Sequence, residues 1–149
     1  MPAVLTTIRN HFFSAFREIF VYHHTSLEFR AKTYAVIIAS GDETVYRYLL
    51  ALQEIASEIY DEPDRAGTLV MTVREYIEAV HVKKTMSDQT LLHDIIHELR
   101  LMPRYASKIE PGHLRKLQEC TQDRDSKIYQ ERIIDFLSQK RLEFEQVKR

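Results

Sequence analysis

Residues 25–61 decide the fold: they read TSLEFRAKTYAVIIAS over residues 25–40, then Gly41, then DETVYRYLLALQEIASEIYD over residues 42–61. In the first half, apolar residues recur at helical spacing and also fill most of the remaining surface of the helix, from Leu27 to Ala39. A helix that is apolar nearly all round is buried on most of its surface. The pattern therefore predicts a central buried helix, with Gly41 as a left-handed stop residue.

A short buried strand over residues 34–38 is the alternative, because β-branched residues favour strands and a short apolar run has no diagnostic period. The second half of the stretch is clearer, since its apolar residues form one amphipathic stripe: Val45, Tyr48, Leu49, Leu52, Ile55, Ala56 and Ile59. Pro63 disfavours helical backbone in the residue before it, so the second helix is expected to end there.

Composition indicates one globular domain over residues 1–149, because the chain has the length of a single domain and is 44% hydrophobic and 29% charged. Only 3 Gly and 4 Pro are present, which is too little turn material for an all-β fold. The formal net charge of −1 gives no global indication of nucleic-acid or membrane binding. Cys120 is the single cysteine, so no internal disulfide forms and a reducing cytoplasm is the expected location.

Further helices are predicted over residues 4–22, 65–84, 88–102 and 111–120 and from about residue 126 onward, with residues 104–110 as a connector. Pro103 and Pro111 mark a helix end and a helix start. Residues 141–149 are expected to fray. The expected core residues of the later helices are Val70, Val73, Ile77, Val80, Leu92, Ile95, Ile96, Leu99, Met102, Tyr129, Ile133, Phe136, Leu137 and Phe144. The fold class is therefore all-α, a single compact bundle of six or seven helices.

The predicted helix over residues 4–22 is rich in aromatic residues and carries one apolar face: Leu5, Ile8, Phe12, Phe16, Ile19 and Phe20. Core packing is the main interpretation; the alternatives are a surface for a partner or a second copy, and a helix at a membrane interface. The last usually needs a basic polar face, and only Arg9 and Arg17 are present beside Glu18. No signal peptide is predicted, and no apolar run reaches the ~18 residues needed for a membrane span.

Charge is distributed unevenly along the chain. Residues 42–64 contain seven acids and one base, Arg47, whereas residues 104–149 contain eleven Lys or Arg and eight acids. Two solvated faces of a helical domain account for this pattern, and the alternative is that the acidic segment binds a cation or a basic partner.

Residues 91–98, LLHDIIHE, contain the arrangement closest to a catalytic site. His93 and His97 lie four residues apart and could share a metal on one face of a helix, as in the zincin HExxH motif, with Asp94 in place of the catalytic Glu. The run LLHDI also resembles the helical HD-domain phosphohydrolases, which use a His-Asp pair for a metal. The core stripe of this helix faces elsewhere, so both histidines are expected at its surface or boundary.

The stretch AKTYAVIIASGDE, followed by LLALQEIASEIYDEPDR, resembles the tellurite-resistance TerB-like domains. The resemblance covers about 35 residues and implies an all-helical, stress-linked module, with acidic residues binding a divalent cation in the turn after the apolar helix. Asp42 and Glu43 are the residues that could take this role, and Ser40 stands where the family often has Asp.

The sequence therefore predicts a non-enzymatic interaction or regulatory module with a protein partner, and a divalent cation at Asp42 and Glu43. The alternative is a metal-dependent hydrolase that uses His93, Asp94 and His97. No phosphate-binding loop and no nucleophile motif occur in the chain.

Overall fold

Helix α1, Thr25–Ala39, is the central element of the molecule. The structure is a computed structural model that describes residues 25–41 and 45–147. Every residue from 33 to 38 is buried, and the run that could have formed a strand is helical. Burial on all sides explains why β-branched residues are tolerated here, since packing outweighs their weak preference for strands. The predicted central helix is confirmed.

Five more α-helices and one 3₁₀ helix follow within the described residues, which contain no strand: α2 Val45–Ile59, α3 Pro63–His81, α4 Asp88–Leu101, the 3₁₀ helix Pro103–Lys108, α5 Pro111–Gln118 and α6 Arg124–Val147. Helix α1 contacts α3, α4, α5, the 3₁₀ helix and α6, and α2 packs on α3 and α5. The predicted all-α bundle is confirmed. The predicted helix over residues 4–22 lies outside the described residues.

Local signals set the ends of these helices. Pro63 and Pro111 occupy first-turn positions, where a missing N–H costs nothing. Ser87 caps α4, because its Oγ accepts a hydrogen bond from the Thr90 amide at 3.1 Å. After α3, Lys84 has a φ of 54°, a left-handed conformation that separates α3 from α4. In the part of the chain described, no helix is both long enough and apolar enough to cross a membrane.

The predicted connector over residues 104–110 joins α4 to α5 and is mostly helical. Most of them belong to the 3₁₀ helix, and Tyr105, Ala106 and Ile109 are buried. The Tyr105 ring lies 5.3 Å from the Phe29 ring of α1, measured between centroids. The sequence did not reveal this six-residue helix, because it is stabilised by contacts with a distant helix and is too short to have a periodic signal of its own.

Residues 141–147, part of the end that the sequence predicted to fray, belong to helix α6, which continues to Val147. Phe144 is buried in the core. The Arg141 guanidinium donates to the Ile109 carbonyl at 2.6 Å and pairs with Glu145 at 2.9 Å. These tertiary contacts hold a turn that would fray in an isolated helix.

The buried faces of α4 and α6 match their predicted positions only in part, with Ile95, Leu99, Ile133, Leu137 and Phe144 buried as predicted. In α6 the rings of Tyr129 and Phe136 are exposed rather than inward, and Gln130 and Ile134 are buried instead. In α4 and in α3, the predicted residues Leu92, Ile96, Val70 and Val80 are only half-buried, and Leu91, Leu69, Thr68 and Thr72 belong to the core. Apolar side chains consequently remain accessible where α4 and α6 lie side by side.

Candidate functional site

The predicted cation-binding turn lies between α1 and α2, and Asp42 and Glu43 are outside the described residues. The residues that flank it are described. Ser40 is buried, and its hydroxyl donates to the Val36 carbonyl at 2.6 Å. The cation site therefore stays a prediction.

Gly41 opens this turn, but it is not the predicted left-handed stop residue, because its φ angle is not positive. A Cβ atom here would lie 2.5 Å from Gln130 Nε2 and 2.8 Å from Thr121 Oγ1, and it would overlap Tyr48 Oη. Glycine is required because three side chains crowd the backbone, and only a residue without a Cβ fits. The sequence identified the correct residue for the wrong reason.

Gln130 is fully buried, and its side chain lies against Gly41. Its Nε2 donates to the Ile37 carbonyl at 2.9 Å and to Tyr48 Oη at 3.4 Å, and Tyr48 Oη is also hydrogen-bonded to Thr121. The Gln130 carbonyl oxygen has no hydrogen-bond partner within the described residues. An unsatisfied buried oxygen of this kind costs on the order of 1–3 kcal/mol. Oxygen atoms are also the ligands that hard cations prefer.

His93 and His97 are exposed on α4, and Asp94 is half-buried. The predicted surface position of the histidines is confirmed. Within the described ranges, no group of three or more His, Cys, Asp or Glu side chains is arranged to hold a metal ion. The hydrolase interpretation needs such a third ligand, and it stays a prediction.

His93 does contribute to a different feature, an open groove of about 400 Å³ between α4 and α6. Six residues line it: Gln89, Leu92, His93, Ile96, Arg100 and Phe136. The five residues from α4 follow one helix face at spacings of three and four. Hereafter this feature is called the α4–α6 groove.

The apolar floor of the α4–α6 groove is formed by Leu92, Ile96 and Phe136, and the Phe136 ring is 38% exposed. At one end, the Tyr129 hydroxyl of α6 donates to the Asp88 carboxylate of α4. That bond joins the two helices. The same hydrogen bond, and to a lesser extent burial, raises the pKa of Tyr129 to about 12. The groove is therefore bounded at one end and open along its length.

A second polar cluster, which the sequence did not reveal, connects α1 to α5. Arg30 of α1 is buried, and its Nη1 donates to Glu110 Oε2 at 2.7 Å. The same carboxylate oxygen lies 2.7 Å from His113 Nδ1, which is 3.1 Å from Tyr34 Oη. No sequence pattern could relate these residues, since Arg30 and Glu110 are 80 positions apart.

Burial raises the pKa of the Tyr34 phenol, although the Arg30 charge opposes this effect. Burial lowers the pKa of Arg30, but interactions with Tyr34 and Glu110 outweigh it and leave that pKa raised. His113 Nε2 lies 3.3 Å from Glu58, so its ring is held between two carboxylates. Through these contacts, Arg30, Glu110, His113 and Glu58 hold α1, α2 and α5 together.

The acidic segment lies on the surface, as its interpretation as a solvated face predicts. Its described acids are all exposed: Glu54, Glu58, Asp61, Glu62 and Asp64. Glu58 accepts a hydrogen bond from Lys116 of α5 at 3.2 Å, which lowers the Glu58 pKa and raises that of Lys116. Part of the negative charge is therefore neutralised within the molecule.

Cys120 is half-buried after α5, and its Sγ lies 3.7 Å from the carbonyl oxygens of Arg47 and Lys116. Burial raises the pKa of the thiol. The thiolate is the reactive form of cysteine, so this environment does not activate it.

Comparisons of this chain with protein-family models, curated proteins and solved structures gave no match. The resemblance to TerB-like domains therefore stays a prediction, and function has to be inferred from the surfaces of the molecule itself.

Proposed function

We propose that this chain is a non-enzymatic helical interaction module that binds a protein partner through the α4–α6 groove. One observation carries the proposal: Leu92, Ile96 and Phe136 form an accessible apolar floor beside polar and basic side chains. Contiguous exposed apolar side chains rimmed by polar residues commonly mark interaction sites. A role as a stress-linked adaptor or regulator would follow from the TerB-like resemblance.

Differential capture from an extract of the source cells tests this function. The full chain is compared with Ile96→Glu, which places a charge on the groove floor, and with Leu142→Glu, which alters an exposed leucine outside the groove. A partner retained by the wild type and by Leu142→Glu, but lost from Ile96→Glu, is the expected result. Partners bound equally by all three proteins would contradict the proposal.

A divalent cation at Asp42 and Glu43 is the second candidate. The TerB-like resemblance supports it, and the Nε2 of the buried Gln130 lies against Gly41 at the start of the same turn. Calcium or magnesium is expected to raise the melting temperature of the wild type but not of Asp42→Asn with Glu43→Gln. Equal stabilisation of both proteins would remove this candidate.

The hydrolase alternative makes a different prediction about metal content. A stoichiometric transition metal in the purified protein, lost in both His93→Ala and His97→Ala, would favour the enzyme over the interaction module. Self-association through residues 4–22 is tested separately, by sedimentation of the full chain at micromolar concentration. A monomer there would count against an oligomer.

A further inference from the structure

The imidazole ring of His113, on α5, lies between two carboxylates. Its Nδ1 is 2.7 Å from Glu110 Oε2, just before its own helix, and its Nε2 is 3.3 Å from Glu58 Oε2, near the end of α2. Tyr34 Oη of α1 lies 3.1 Å from the same Nδ1. The His113 side chain is only 20% exposed. Each nitrogen of a largely enclosed ring therefore faces a carboxylate oxygen at contact distance.

The protonation state of this ring decides whether both contacts are attractive. A neutral imidazole has one N–H donor and one acceptor nitrogen, whereas the imidazolium has two donors, and a carboxylate only accepts. With a single proton on Nε2, the lone pair of Nδ1 faces Glu110. With a single proton on Nδ1, the lone pair of Nε2 faces Glu58. Only the imidazolium can therefore donate to both carboxylates at once.

Two basic side chains share these carboxylates with the ring. Arg30 of α1 donates to Glu110 at 2.7 Å, and Lys116 of α5 donates to Glu58 at 3.2 Å. The hydrogen bond from Lys116 lowers the pKa of Glu58, which is therefore ionised at pH 5.5 as well as at pH 8.5. The attraction between His113 and Glu58 consequently changes over this range only if the ring gains or loses a proton.

Other titratable groups on the helices packed against α5 keep their charge over the same range. Burial raises the pKa of the Tyr34 and Tyr60 phenols, which stay neutral. On α6, the hydrogen bond from Arg115 lowers the pKa of Glu131, which stays ionised. A change in stability that depends on both His113 and Glu58 would therefore come from the ring.

We propose that His113 is a proton-dependent clasp between α2 and α5. In its imidazolium form the ring donates to Glu58 and Glu110 together and holds the end of α2 against α5. Loss of one ring proton leaves a carboxylate opposite a lone pair and loosens this junction. Histidine is the side chain that ordinarily changes charge between pH 5 and 8, so the clasp responds to pH in the physiological range.

A double-mutant cycle at two pH values tests the clasp in the full chain. Chemical denaturation of the wild type, His113→Gln, Glu58→Gln and the double variant is measured at pH 5.5 and at pH 8.5. Glutamine is neutral at both values and can still form hydrogen bonds. The coupling between the two positions is expected to be about three-fold in the ratio of folded to unfolded protein at pH 5.5, and to disappear at pH 8.5.

Two control variants separate the proton from the position. His113→Lys keeps a positive charge at both pH values, so its coupling to Glu58 should persist at pH 8.5. His97→Gln alters an exposed histidine on α4 and should show no coupling to Glu58 at either pH. If His113→Gln does not fold, wild type and Glu58→Gln alone suffice, because the difference in stability between them should narrow from pH 5.5 to pH 8.5.

Two results would overturn the inference. A coupling between His113 and Glu58 of the same size at both pH values would show that the contact does not depend on the ring proton. Absence of coupling at pH 5.5 would show that the ring does not hold α2 against α5.

Discussion

Helix α1 and the α4–α6 groove both present large apolar side chains, but the two regions use them differently. In α1 the apolar residues from Leu27 to Ile38 are buried by surrounding helices. In the groove, Leu92 and Ile96 are half-buried and Phe136 is 38% exposed. Hydrophobic stabilisation follows the area removed from water, so α1 already contributes its full share to folding. The groove retains apolar area that only a partner could bury.

The largest expected effect is a loss of stability when α1 is truncated. Ile37→Ala is expected to lower the free energy of unfolding by about 2–5 kcal/mol, because Ile37 is fully buried and its removal leaves a cavity. Leu142→Ala, at a side chain that is 63% exposed, should change stability by less than about 0.5 kcal/mol. Chemical denaturation of both variants measures the contrast, and similar losses would mean that α1 is not the central element.

Gly41 gives the next largest effect. Gly41→Ala is expected to destabilise the protein by about 1–3 kcal/mol, since the added Cβ overlaps the side chains around it. Gly67→Ala is the matched control: Gly67 lies within α3 with nothing near its Cβ position, and the change should stabilise by about 0.5–1 kcal/mol. Stabilisation by both substitutions would contradict the close packing of Tyr48, Thr121 and Gln130 around Gly41.

A smaller effect should appear in the pH dependence of stability. Burial raises the folded-state pKa of Tyr34 above its unfolded value near 10. The contribution of the protonated phenol to the free energy of unfolding is therefore fully present below pH ~10 and is lost as the pH rises further. Tyr34→Phe loses the hydrogen bond to His113 and should be less stable at pH 8 by about 1 kcal/mol. The difference should shrink between pH 10 and 11. Parallel pH profiles for the two proteins would contradict the buried phenol.

The sequence predicted the helical class and most helix ends, because those features depend on local residues. The stripe in α2 and the prolines at positions 63 and 111 are readable without tertiary information. The central position of α1 was also predictable, since its apolar residues cover nearly the whole helix.

Features that depend on distant contacts could not be predicted. Gln130 is a polar residue that the sequence gives no reason to bury, and it packs against Gly41. The orientation of α6 follows from such contacts, so Phe136 was assigned inward when it lies at the groove. The cluster of Arg30, Glu110 and His113 likewise joins residues far apart in the chain. The candidate site was therefore visible only once α4 and α6 were placed side by side.

Phe136→Ala should have a modest effect on folding and a marked effect on binding. Its partial exposure limits the loss of stability to about 1–2 kcal/mol, less than that of a fully buried side chain. Because the ring forms part of the groove floor, its removal should also weaken the binding of a partner there.

Capture of the groove-dependent partner by folded Phe136→Ala, compared with capture by the wild type and by Leu142→Glu, tests the central claim most directly. Our account predicts that Phe136→Ala loses the partner that the other two proteins retain, while its cooperative melting transition is preserved. Unchanged capture by the folded variant would contradict the assignment of the α4–α6 groove as the binding surface.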